Sequence, residues 1–138
     1  MLSQHENMKK PEALRRMNQL CKATFFDNRT AHFSNINNTK PVWWFHIPLK
    51  KVEGPRSEEC LHLICYDRRS YKLRHLTVLT SYFRVNLRKP SKLLIIDTDI
   101  KKVIQLELSI HNARLFQDRW SGCRFGQFEC CEVACEHS

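Results

Sequence analysis

The chain has 138 residues with 42% hydrophobic and 27% charged residues, ordinary values for one globular domain. Three Gly and five Pro exclude a collagen-like or low-complexity chain. The longest aliphatic run, Leu93-Leu94-Ile95-Ile96, is far short of a bilayer-spanning stretch.

The N-terminal Met1-Leu2-Ser3-Gln4-His5-Glu6 has no apolar region of a secretory signal, so a cytoplasmic, intracellular location and no membrane partner are expected. Seven cysteines, an odd number, leave one thiol unpaired in a monomer, and reduced thiols are the default there.

In chain order, Pro11 and Glu12 mark a helix start, and Leu14, Met17, Leu20 and Cys21 recur at helical spacing. The spacing predicts a helix over about 8–23. Residues 27–41 are rich in Asn, Asp and Ser and read as a long loop. Val42 to Ile47 is a β-favouring run closed by Pro48; Trp43 and Phe45 share one face and Trp44 the other. Leu61–Tyr66 and Tyr71–Leu79 flank Asp67-Arg68-Arg69-Ser70, which predicts a hairpin. Ser81 is a candidate cap for a short helix through Leu87. Leu93–Ile96 reads as a strand followed by a turn at Asp97-Thr98-Asp99. Ile104, Leu106, Leu108 and Ile110 then alternate with polar residues, which predicts a strand with one buried face. Residues 114–120 are a short helix or loop, and Cys123–Phe128 is a candidate last strand. The fold expected is α+β: a single domain, residues 1–122, with a mainly antiparallel sheet of about five strands, an N-terminal helix and short connecting helices. A cysteine-rich acidic tail would follow over 123–138.

Lys and Arg number 23 against 14 Asp and Glu, a net charge of +9 that favours an anionic partner. The charge is segregated. Between Arg68 and Ile96 stand Arg68, Arg69, Lys72, Arg74, Arg84, Arg88, Lys89 and Lys92 without one Asp or Glu, whereas Glu129, Glu132 and Glu136 follow Arg124 without one Lys or Arg. An Arg-bearing β-ribbon can enter a DNA groove, and phosphate contacts from 84–92 would sit beside it. An exposed Trp44 could stack on a base, whereas a core strand covered on both faces, the favoured alternative, would bury it. The function expected is therefore nucleic-acid binding, to DNA or RNA, through the hairpin and the 84–92 segment. Docking of an acidic protein partner is the alternative on the same charge.

A compact metal-dependent nuclease is a further alternative, with Asp97, Asp99 and Glu107 as carboxylate ligands. Glu107-Leu108-Ser109 lacks the lysine that a restriction-type core places two residues after its Glu. Cys123, Cys130, Cys131, Cys135 and His137 have poor zinc spacing, and Cys60 and His62 share a strand face that Cys65 does not. Asp27, His32, Asn35 and His46 supply bases and polar partners without a nucleophile elbow. No Walker loop or Gly-x-Gly-x-x-Gly is present. No metal, cofactor or catalytic residue is therefore assigned.

Overall fold

The computed structural model describes residues 6–21, 25–55, 57–88 and 92–135. Helix α1 (Lys10–Leu20) begins with Pro11 in its first turn, where a missing N–H costs nothing. Glu12 pairs with Arg16 at 2.9 Å, one turn on. The helix starts later than position 8 because Met8 is held extended: Asn35 accepts its N–H and donates to its carbonyl, both at 2.8 Å. Ala13 and Met17 are buried, but Leu20 is exposed. Residues 22–23 of the expected helix lie outside the described residues.

Seven strands form two sheets rather than one sheet of five. The first sheet contains β1 (Ala31–Ser34), β3 (Cys60–Asp67), β4 (Lys72–Leu79) and β7 (Glu129–Ala134) in the order β1-β3-β4-β7. The second contains β2 (Val42–Pro48), β6 (Lys102–Ser109) and β5 (Leu94–Asp97) in the order β2-β6-β5. Every pairing is antiparallel except β1 with β3. The expected hairpin is β3–β4, joined through 68–71, with Tyr71 at φ 56°. The expected long loop contains β1, whose four residues are too few to show alternation.

The two sheets face each other across the main core. Trp43, Phe45 and Ile47 of β2 and Ile104, Leu106 and Leu108 of β6 meet Leu61, Leu63 and Cys65 of β3 and Leu76 and Val78 of β4. The predicted alternation in β6 is realised, since these three residues and Ile110 are buried. On the other side of the first sheet, Ala13 and Met17 of α1 and Phe26 cover Ile64, Tyr66 and Leu73. The layers therefore run helix, four-stranded sheet, three-stranded sheet. Among the described residues, no helix lies over the outer face of the three-stranded sheet.

Helix α2 (Thr80–Asn86) follows β4 directly; its N-cap is Leu79, without a side-chain cap, rather than Ser81. Thr80 Oγ1 instead donates to the Glu58 carbonyl at 2.7 Å and to that of Glu59 at 3.1 Å. Residues 114–120 form turns rather than a helix. The last strand is β7 rather than 123–128. Residues 126–128 make a 3₁₀ turn against Leu115, where a Cβ on Gly126 would fall 2.0 Å from the Arg114 carbonyl oxygen. The tail residues 129–134 are thus hydrogen-bonded into a sheet beside β4.

Candidate nucleic-acid interface

The basic stretch does not form one free surface. Arg68, at the predicted hairpin break, is 9% exposed and donates to Asn7 Oδ1 at 2.7 Å and the Ile36 carbonyl at 3.1 Å. Arg69 makes a two-pronged pair with Asp67, at 2.9 Å for each nitrogen. Lys72 pairs with Glu132 at 2.9 Å. Arg74 grips Glu129 through Nε and Nη2 at 2.9 and 3.0 Å and lies over the Phe116 ring at 4.4 Å. Arg84 donates to the Val52 carbonyl at 2.8 Å and to Thr80 Oγ1 at 3.1 Å. Arg88 and Lys92 are exposed, and Lys89 lies outside the described residues. Antiparallel pairing of β7 with β4 brings Glu129 and Glu132 against Arg74 and Lys72, so two of the hairpin cations are neutralised by the tail.

Trp44 belongs to a different surface. Alternation along β2 sends Trp43 into the core, fully buried, and leaves Trp44 44% exposed on the outer face of the three-stranded sheet. Beside it His46 meets the indole edge-on, with centroids 5.2 Å apart. The β2–β6 register sets Trp44 opposite Glu107 and His46 opposite Gln105.

Glu107 is the centre of this face. The alternation reads it as wet, but the turn 117–122 folds over it and leaves it 1% exposed. Asp118, fully buried, holds that turn: its Oδ1 accepts from the Glu107 N–H at 2.9 Å and its Oδ2 from Ser121 Oγ at 2.6 Å. Trp120, 51% exposed, donates its indole N–H to Glu107 Oε2. Gln105 Nε2 donates to the same oxygen at 3.0 Å, and its Oε1 lies 3.1 Å from His46 Nε2. Lys40 and Arg119 donate to Oε1 at 3.3 and 3.4 Å, and Lys40 sits 6.0 Å from the centre of the Trp120 ring.

Burial pushes the Glu107 carboxyl up, but hydrogen bonds from Trp120, Gln105 and Lys40 outweigh it and hold it below the usual carboxylate range. Glu107 thus stays ionised and fixes an indole, an ammonium and a guanidinium in place. The side chains of Lys40 and Arg119 remain 46% exposed.

The nuclease constellation is not assembled. Asp97 pairs with Lys102, the first residue of β6, five residues before Glu107. That is roughly 17 Å along a strand, too far for one metal ion. Asp99 is exposed in the β5–β6 turn. Among the described residues no group of three or more His, Cys, Asp or Glu could hold a metal. Cys123 and Cys135 are buried, Cys130 Sγ approaches Thr77 Oγ1 at 3.0 Å, and His137 lies outside the described residues. Asp27, His32 and Asn35 have separate roles: Asp27 accepts the Arg29 and Thr30 N–H groups, Asn35 holds Met8, and His32 faces Lys51.

The sequence reading missed a buried histidine pair. The hairpin register brings His62 beside His75, with Nδ1 and Nε2 2.9 Å apart. Phe26 packs edge-on against both rings, and Cys131 lies 3.7 Å from His75 Nδ1. Cys131 Sγ is also 3.1 Å from Cys21 Sγ.

Among the described residues no helix is long and apolar enough to cross a membrane. Fold and site define an α+β protein of two packed sheets with a partly exposed aromatic and cationic face. No protein-family model matches the chain, and neither a curated protein nor a solved structure resembles it.

Proposed function

We propose that the protein binds single-stranded nucleic acid across the outer face of the three-stranded sheet, with Trp44 and Trp120 as stacking platforms and Lys40 and Arg119 as phosphate contacts. The supporting observation is two half-exposed indoles on one face around a single buried carboxylate. An exposed indole costs little entropy to use when its N–H is already fixed, as that of Trp120 is by Glu107. Stacking tolerates any base, and flanking cations supply the sequence-independent attraction to phosphate. The net charge of +9 acts in the same direction at long range. The hairpin cations contribute less, because Arg69, Lys72 and Arg74 each hold a carboxylate of their own at 2.9 Å, whereas Lys40 and Arg119 share the single Glu107 carboxylate and leave a net positive charge on the sheet face.

Fluorescence anisotropy with short oligo(dT) and oligo(U) strands tests the reading. Each of Trp44→Ala and Trp120→Ala is expected to weaken binding about tenfold, the effect of losing one stacked base. Affinity should fall as salt rises, with a shallower slope in Arg119→Ala. If the folded protein binds neither strand at micromolar concentration in ~50 mM salt, the proposal fails. Binding that ignores both indole replacements would equally sink it.

A further inference from the structure

A second cationic region lies at the far end of β2 and β6. Directly after β2, a 3₁₀ turn (Leu49–Lys51) presents Lys50 and Lys51, and the Val52 that follows is fully buried and anchors it. Lys51 Nζ reaches back to β1 and stops 3.3 Å from His32 Nε2. The β5–β6 turn delivers Lys101 and Lys102, which line an open depression of ≈ 330 Å³ together with Lys50, Leu49, Glu53 and Gly54. Lys50 also lines the neighbouring cavity of ≈ 610 Å³ with Lys51, Arg29 and Glu58. Lys10, at the start of α1, is close enough to act on both His32 and Lys51.

These cations are poorly compensated. Glu58 is already engaged by Arg29 at 3.5 Å. Among the described residues, no carboxylate stands within ion-pair distance of Lys10, Lys50, Lys51, Lys101 or Lys102, in contrast to the paired hairpin. Burial and the mutual repulsion of these lysines show in their acidities. His32 is pulled down to about 3 by burial and then by Lys51, Lys10 and Lys101. Lys51 is lowered by burial and by Lys10 and Lys101, with Glu58 opposing; Lys10 is lowered by burial.

We propose that this end, from His32 and Lys51 across Lys50 to Lys101 and Lys102, is a binding site for a multiply charged phosphate group. Neighbouring ammonium groups, each with three donors, suit the several oxygens of a phosphate better than the two of a carboxylate. An anion there would relieve the repulsion among the lysines and give the Lys51 ammonium a charged acceptor in place of a neutral imidazole. The ligand is either a free polyphosphate or the terminal phosphate of a strand. Only the second alternative rests on the nucleic-acid reading, and the region is distinct from the Trp44–Glu107 face.

Pyrophosphate is the probe for the first alternative. Titration at low ionic strength should be saturable by calorimetry and should shift the His32 ring resonances. Lys51→Met and Lys101→Met should each weaken it about tenfold or more, the usual loss for one charge-assisted contact. Arg114→Met, on an exposed turn, should leave it unchanged. For the second alternative, 5′-phosphorylated and 5′-hydroxyl oligo(dT) are compared in the wild type and Lys51→Met. A Lys51-dependent preference for the phosphorylated strand identifies the strand end as ligand, and pyrophosphate binding without that preference identifies a free phosphate. Neither signal, or equal loss in the Arg114 control, overturns the site. Trp44→Ala should leave pyrophosphate binding intact, so the two surfaces fail separately.

Discussion

Lowering the pH from about 7 to about 4 should destabilise the fold by about 3 kcal/mol through His75 alone. His75 is 3% exposed and its partner His62 8%, beneath the Phe26 ring. Burial, and then the neighbouring His62, pull the His75 acidity from its ordinary 6.5 to about 4. The unfolded chain therefore binds a proton in this window that the folded chain refuses. The stability from His75 is complete above about 6.5 and is lost as the pH falls towards about 4. The groups facing the ring are His62, Thr77 and Cys131, none of them a carboxylate that would stabilise an imidazolium. His32 adds a loss of the same sign down to about 3. Glu107 and Asp67, both held below their ordinary values, add theirs only at the acid end. Urea denaturation across this range should give a shallower pH slope for His75→Gln than for the wild type. An unchanged slope would show that His75 does not carry the effect.

Trp43→Ala should cost about 3–5 kcal/mol, the usual range for deleting a buried large aromatic. The indole is fully buried between the sheets, stacks on Phe116 at 5.5 Å and donates its N–H to the Tyr66 carbonyl at 2.9 Å. Truncation opens a cavity and removes a buried donor from that carbonyl. Trp43→Phe should recover part of the volume but not the hydrogen bond, and so fall in between. Trp44→Ala, one residue away, should change stability by less than about 1 kcal/mol because its ring is about half exposed and lies outside the core. Denaturation midpoints of the three variants check this. A large loss in Trp44→Ala would mean that the outer sheet face is not open.

What the sequence made legible was local. The parity of Trp43, Trp44 and Phe45, the alternation from Ile104 to Ile110 and the polar break at 67–70 each need only a short window, and each appears in the structure. Arg74 shows where such a window fails. Its carboxylate partner Glu129 is 55 residues away and arrives only when β7 pairs with β4. Counting charge along 68–96 could not register that neutralisation. Glu107 failed for a related reason. Strand parity put it on the outer face correctly, but burial came from a turn ten and more residues downstream, held by Asp118. A Trp following an Asp and an Arg beyond the strand was the only hint. The lysine-rich end draws on four separated segments, and β1 was too short to announce itself between turn-forming residues.

Whether an anionic strand meets the indole-bearing sheet face or the hairpin is decided by comparing two matched variants in one anisotropy titration. Trp44→Ala/Trp120→Ala removes the stacking surface, and Arg69→Ala/Lys72→Ala removes two hairpin cations that already hold Asp67 and Glu132. A loss on the order of a hundredfold is expected in the first, from two stacked bases, and no more than about threefold in the second. A hundredfold loss in the hairpin variant, with the indole variant binding like the wild type, would contradict binding at the sheet face.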